Sequence, residues 1–315
     1  MSKQSLEVLL IPILIFLTLL SEGSPSVSAV KPEVVSYGKS GNIIFKSPAG
    51  IFFDSRQREI YVTDSGSSSV LIFNESGEFL FSFPHWVRRG GEKVKGEPRD
   101  IVVDSRGLIY LTDSLSREID VLNARGIVID YINPLEFEAY QGRIVYPQYM
   151  AIDPHDTLFV TLDGDVKEIM VLDPEYNLVR RMEVEQEEGF GGLSGIALDK
   201  QGNVLITDIY GHSCVGIYSR SGRLLQSFGR KAIGDENFSH PHGLACTGDG
   251  DIWVVDSFRQ VVKRFSPAGE FKEMVGGFGI MPGDYQYPVG ITSDLGKRLF
   301  VVERVGRRFQ ILRTD

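Results

Sequence analysis

The chain has 315 residues, a formal net charge of −9, 42% apolar residues and two cysteines. This much apolar material builds a large core, so the composition excludes a disordered chain. The acidic balance lacks the basic footprint of a general nucleic-acid binder, and the cysteines are too few for a disulfide-stapled scaffold.

Residues 8–20 are thirteen uncharged, mostly apolar positions. That run is short for a membrane span and suits the apolar region of an export signal. Val27-Ser28-Ala29 offers small residues for cleavage after Ala29, although Lys3 is opposed by Glu7. The expectation is a signal over 1–29 and one domain over 30–315, exported to a periplasmic or extracellular space. The mature chain then has no membrane span; the alternative is an anchor formed by an uncleaved N-terminal segment.

Beyond this segment the sequence repeats itself. Starts of the form Pro-x-Gly fall at Pro48, Pro98, Pro147, Leu193, Pro241 and Pro288, spaced by 50, 49, 46, 48 and 47 residues. Each repeat carries four short stretches rich in Ile, Val, Leu and Tyr, separated by turn residues. In the second repeat they are 100–103, 108–112, 118–122 and 127–132, with turns at Ser105-Arg106-Gly107 and Asn123–Gly126. These patterns predict four antiparallel strands per repeat. One such sheet cannot cover both of its faces, and packing successive sheets around an axis does so. The predicted fold is all-β: a six-bladed β-propeller of four-stranded antiparallel blades.

The sixth repeat ends after its third strand, at 307–312. Val34-Val35-Ser36-Tyr37-Gly38 matches Leu225-Gln226-Ser227-Phe228-Gly229, a fourth strand, and Phe45-Lys46-Ser47-Pro48 matches the blade entry Phe238-Ser239-His240-Pro241. The N-terminal strand is therefore expected to complete the last blade and remove an exposed edge. Cys214 and Cys246 fall at different heights of neighbouring blades, which predicts two free thiols.

The repeated motif resembles the NHL-repeat family of six-bladed propellers. Pro48-Ala49-Gly50-Ile51 with Ile60–Gly66, then Leu108–Ser114, Val204–Asp208 and Ile252–Ser257, carry the resemblance over residues 32–315. The third repeat departs most, with Leu162 where the others end a strand in Asp or Glu. The resemblance implies the fold and a frequent role in binding proteins or nucleic acid; it implies no single activity.

In such a blade the long links share one face: 84–97, 133–146, 184–192, 229–240 and 276–287. Trp86, Arg88, Arg89, Tyr140 and Tyr285 are the candidate rim contacts, with interblade packing as the alternative for each aromatic. Arg88, Arg89, Lys93, Lys95 and Arg99 make the first link basic, whereas Glu183, Glu185, Glu187 and Glu188 make the third acidic. The acids Asp64, Asp113, Asp208, Asp256 and Glu303 recur blade after blade, which suits backbone capping better than catalysis.

The middle residues of the six starts are Ala49, Arg99, Gln148, Ser194, His242 and Val289. Arg99, Gln148, Ser194 and His242 are the candidate channel-mouth residues, suited to a small anion or a partner's carboxylate. The segment Phe238–Leu244 is close to the metal-binding segment of NHL-type amidating lyases, whose zinc takes a His from three blades; here His242 stands alone. The calcium-dependent lactonases use Glu, Asn and Asp at such positions, and none is present. No catalytic residue or cofactor is assigned; zinc or calcium remains the alternative, with His242 the weak metal candidate. The expected function is a monomeric ring that binds a protein or peptide. Alternatives are a metal-dependent lyase or hydrolase and a small-anion sensor.

Overall fold

The computed structural model describes residues 30–38, 44–184 and 192–314, which form six four-stranded antiparallel sheets and one two-stranded hairpin. The first strands of the sheets touch one another in a closed circle, so the sheets are the blades of a propeller. In order those inner strands are Pro48–Asp54, Pro98–Val103, Val145–Ile152, Leu193–Leu198, Pro241–Cys246 and Pro288–Ser293.

Burial follows from this arrangement. The second strands, such as Ile109–Asp113 and Ile252–Asp256, are buried at every residue because neighbouring blades cover both faces. The fourth strands lie at the outer edge, and Leu224–Phe228 alternates half-buried and exposed residues accordingly.

Ring closure is as expected, with a longer strand. Val30–Ser36 pairs antiparallel with Arg308–Thr314, from Val30 opposite Thr314 to Ser36 opposite Phe309. Behind that seam Phe45, Phe73 and Phe309 form a triangle with ring centroids 5.0–6.3 Å apart. Phe53 of blade 1 stacks on Phe300 of blade 6 at 4.8 Å. Aromatic contacts of this kind add about 0.5–1.5 kcal/mol each beyond area burial. The two ends of the chain are thus joined by a ladder and a core at once. Cys214 and Cys246 are both buried and free.

The links carry secondary structure of their own. Trp86–Arg89 and Glu92–Lys95 pair as the small hairpin, standing on the first link. The second link holds two 3-10 turns, Pro134–Glu136 and Glu138–Tyr140. The fourth and fifth each close on a parallel bridge, Lys231 with Phe238 and Phe278 with Tyr285. The expected signal over 1–29, and Glu185, Glu187, Glu188 and Phe190, lie outside the described residues. Among the described residues no helix is long and apolar enough to cross a membrane.

Candidate functional site

Every inner strand begins with a bulge. The register shifts after Pro48, Pro98, Pro147, Leu193, Pro241 and Pro288, and the middle residues predicted to face the mouth lie at these irregular steps. Proline suits the first strand position because it has no N–H to give a ladder. Second-strand hydroxyls hold the bulges and tie blade to blade. The Thr63 hydroxyl donates to the Arg99 carbonyl at 3.1 Å, Thr112 to Gln148 at 2.7 Å, and Thr207 to His242 at 2.6 Å. Thr63, Thr112 and Thr161 also accept a backbone N–H from the bulge of their own blade.

This frame brings Arg99 and His242 to the same side chain. The Arg99 guanidinium lies 5.9 Å from the Tyr149 ring centroid, and the His242 ring stands edge-on to Tyr149 at 6.4 Å. Arg99 donates to Ser114 Oγ at 3.2 Å, but its Nε is buried without a partner, as is His242 Nδ1. Burial, with His240, Arg304 and Arg99 nearby, pushes His242 down to about 3, so the imidazole is neutral at pH 7. Gln148 turns back on the Tyr146 carbonyl at 3.3 Å. Ser194 is buried and donates to Pro241 O at 2.9 Å, which makes it a tie between blades 4 and 5 rather than a mouth contact.

The third residue of each start decides the shape of the channel, and the sequence reading passed over it. Four blades have glycine there. A Cβ on Gly195 would lie 2.9 Å from His242 O, one on Gly243 3.0 Å from the Gly290 Cα, and one on Gly290 2.9 Å from Ala49 O. Blades 2 and 3 carry Asp100 and Tyr149 instead. Asp100 accepts the Met150 N–H at 2.7 Å across the blade gap, and burial pushes its carboxyl up to about 7. Burial likewise raises the Tyr149 hydroxyl. Both line a cavity of about 780 Å³ along the axis, walled by Ile101, Ile196, Leu244 and Ile291. The available signal was the departure of Pro98-Arg99-Asp100 and Pro147-Gln148-Tyr149 from Pro-x-Gly.

On the rim, the structure removes two of the expected contacts. Tyr140 and Tyr285 are fully buried beneath their links, so neither is presented to a partner. Trp86, Arg88 and Arg89 are exposed on the hairpin, with Lys93 over the Trp86 ring and Arg88 over Tyr131. The hairpin stands over a buried group the sequence reading missed: His85 Nε2 lies 3.2 Å from Asp113 and 3.4 Å from Asp120.

Over blades 4 to 6, where Tyr285 was the one expected rim contact, other apolar side chains reach the surface instead. Ile233 is 97% exposed, Phe278 74%, Ile280 70% and Met281 64%, with Tyr210, Phe258 and Val305 also exposed. An aromatic file joins this surface to the mouth. His242 lies 5.3 Å from His240, which stacks on Phe258 at 4.2 Å, and Phe258 lies 6.1 Å from Tyr287. A half-buried arginine and two buried cations hold the links that carry these side chains. Arg259 donates to Gly234 O and Ala232 O at 2.6 and 2.7 Å, and Lys263 to Asp235 O and Asn237 O. Arg308 donates to Ile280 O and Asp284 O, each at 2.7 Å.

The recurrent acids cap backbone. Asp64 accepts Lys46 N and Ser47 N, Asp208 accepts Gly192, Tyr210 and Gly211 N–H groups, and Asp256 accepts Ser239 and His240 N–H groups. In blade 3, where Leu162 replaces the acid, Asp165 three residues on accepts Ile144 N at 2.7 Å. Among the described residues no group of three His, Cys, Asp or Glu side chains is arranged to hold a metal ion.

An NHL-repeat model matches residues 190–218. No curated protein sequence matches the chain. Solved structures that it resembles include a catalytically inactive virginiamycin B lyase from Staphylococcus aureus in complex with quinupristin. That likeness has 14% identity and a TM-score of 0.59, covering 84% of this chain and 80% of that one. A gluconolactonase from Xanthomonas campestris is 15% identical, with a TM-score of 0.61 over 86% of this chain and 87% of its own. A luciferin-regenerating enzyme is 12% identical, with a TM-score of 0.62 over 85% and 91%. At these identities the likeness is one of fold.

Proposed function

Starting from a six-bladed β-propeller that carries an NHL repeat, we propose that this protein is an exported scaffold that receives a protein or peptide on its looped face. The observation that carries the reading is the apolar surface over blades 4 to 6. Ile233 is exposed on the fourth link and Phe278, Ile280 and Met281 on the fifth, both links being clamped by Arg259, Lys263 and Arg308, and exposed Phe258 stacks on His240 at the end of the fourth. Large exposed apolar groups on a soluble surface mark interaction sites. Clamped links lose little conformational entropy on binding, which favours capture of a partner.

Peptides selected from a random display library on the protein test this reading. Those recovered are expected to carry apolar side chains and to bind a Phe278→Ser, Ile280→Ser double variant at least about tenfold more weakly, the loss typical of central interface anchors. Selected peptides that bind both proteins equally would place the docking surface elsewhere.

The second reading is a metal-assisted lyase or hydrolase. It draws on Asp100, whose carboxyl near 7 beside Tyr149 at the axial cavity suits proton transfer. Its test is elemental analysis of protein purified without chelator, followed by lactone hydrolysis by wild type and Asp100→Asn. A metal-free protein whose hydrolysis is the same in both ends this reading.

A further inference from the structure

We propose that the hairpin on the first link is a proton-gated arm: a buried cluster of His85, Asp113 and Asp120 holds it against blade 2 while protonated and releases it as pH rises past neutral. The device lies on blade 2 and does not rest on the apolar surface over blades 4 to 6.

One ladder position sets blade 2 apart. Opposite the second-strand residue two places before the recurrent acid, the third strand carries Asp120 in blade 2, Lys263 in blade 5 and Gln310 in blade 6. Lys263 and Gln310 are donors. They meet their blades' acids, Asp256 at 3.5 Å and Glu303 at 2.8 Å. Each also holds a carbonyl of the link entering its blade, Asp235 O at 3.0 Å and Asp284 O at 2.7 Å. Blades 1, 3 and 4 have Leu71, Met170 and Gly216 there. Blade 2 alone places a second carboxylate beside the first.

His85 supplies the donor from the link itself. Its side chain is fully buried, with Nε2 3.2 Å from Asp113 and 3.4 Å from Asp120, whose side chains are also buried. Asp64 and Asp256 each bind two N–H groups of an entering link. Asp113 instead accepts Leu115 N–H of its own turn at 2.8 Å on Oδ1 and leaves Oδ2 to His85. One imidazole N–H cannot neutralise two buried carboxylates, so the cluster needs a further proton, on the ring or on a carboxyl. The three groups then titrate as a unit. Burial pushes the Asp120 carboxyl up to about 6 against the pull of His85; Asp113 and Glu118 add to the rise, and Arg88 on the hairpin opposes it. Blade 1 meets the base of the arm through the Ser68 carbonyl, which accepts His85 N–H at 2.8 Å. A carboxyl raised on folding stabilises the docked state below its folded value and loses that effect as pH rises through it.

The topology decides which part yields. Asp113 and Asp120 sit on the second and third strands of blade 2, each paired on both sides. The arm is a two-stranded hairpin, which is marginal by itself. It is fastened at its base by Gly96 N–H donating to His85 O at 3.1 Å and by buried Val87. The base closes directly on the titrating groups: a Cβ on Gly96 would lie 2.5 Å from both His85 Cδ2 and Asp113 Oδ2. Repulsion between the two carboxylates therefore moves the link rather than the blade. The face it frees is basic, with Trp86 opposite Lys95 and Arg88 opposite Lys93.

The test uses the two tryptophans of the chain, Trp86 on the arm and Trp253 in the core. The whole protein is labelled with 5-fluorotryptophan and followed by fluorine NMR from pH 5 to 8.5. The Trp86 resonance is expected to shift or broaden with a midpoint between about pH 6 and 8, and the Trp253 resonance to stay in place. Asp120→Asn keeps the shape and removes the second carboxylate, so its Trp86 resonance at pH 8.5 should stay near the wild-type position at pH 5. Limited trypsin digestion gives the second readout, because cleavage follows the population of the open form. At pH 8 the wild-type arm should be cut at Arg88, Arg89, Lys93 or Lys95 at least about tenfold faster than the arm of Asp120→Asn, and at pH 6 the two rates should agree within about twofold. Comparison at equal pH cancels the pH dependence of trypsin. A Trp86 resonance that does not titrate in wild type, or equal cleavage of the two proteins at pH 8, overturns the proposal. The wild-type titration decides the matter by itself if Asp120→Asn fails to fold.

Discussion

Replacing Arg308 with methionine tests how the looped face is held. Arg308 and Glu303 are 2% and 0% exposed and meet at 2.6 Å. Glu303 also accepts Gln286 N at 2.7 Å and Gln310 Nε2 at 2.8 Å, while Arg308 holds the Ile280 and Asp284 carbonyls of the fifth link. Methionine keeps much of the volume and removes every donor. Breaking a buried ion pair from one side costs about 3–5 kcal/mol, because the remaining charge is stranded. At roughly 2–4 °C per kcal/mol for a domain of this size, Tm should fall by about 10 °C. The loss should also depend on pH. Burial already raises the Glu303 carboxyl in the native protein, against the opposing pull of Arg308, and removing Arg308 raises it further. A carboxyl raised on folding binds its proton more tightly in the native state, so its contribution to stability falls as pH rises. The deficit of Arg308→Met is therefore largest at pH 8 and shrinks toward pH 5. Adding Glu303→Gln should recover part of it and flatten the pH dependence; the link carbonyls remain without donors in both variants. Urea unfolding at the two pH values measures this. A deficit below about 1 kcal/mol, or one equal at both values, refutes the reasoning.

Thr207→Val removes the hydroxyl that donates to the His242 carbonyl. A loss of about 1–3 kcal/mol is expected, together with a shifted His242 ring resonance in NMR spectra; unchanged spectra would deny the hydroxyl its positioning role. His242 is held down to about 3, so wild type should lose stability as pH falls from about 6.5 toward 3, at up to about 1.4 kcal/mol per pH unit. His242→Gln should remove that part of the acid slope, and an identical slope in the two proteins counts against a buried neutral imidazole. Phe309→Ala opens the seam between first and last blades and should cost about 3–5 kcal/mol by chemical denaturation; a cost near zero would mean that closure rests on the strand ladder alone. Trp86→Ala lies on an exposed hairpin and should move stability by no more than about 0.5 kcal/mol. Weakened capture of selected peptides in that variant would extend the docking surface to the hairpin, and unchanged capture would confine it to blades 4 to 6.

The sequence alone determined the architecture. Starts spaced 46 to 50 residues apart, with four apolar stretches between them, admit few packings that bury both faces of every sheet. The match of 34–38 to a fourth strand foretold closure, because an open last blade would leave an unpaired edge. The capping role of Asp64, Asp208 and Asp256 was legible for a similar reason: a residue needed in almost every blade serves what every blade has, its turns. Local pattern could not decide which link aromatics face water. Tyr140 and Tyr285 look like Phe278 in sequence, yet the folding back of their links buries two and exposes the third. Nor could it place Asp100 and Tyr149, since the room that glycine leaves at the channel neck exists only once the inner strands of neighbouring blades meet. The convergence of Arg99, Tyr149 and His242 is also a tertiary outcome. They come from three blades, and only closure of the ring sets those blades around one axis.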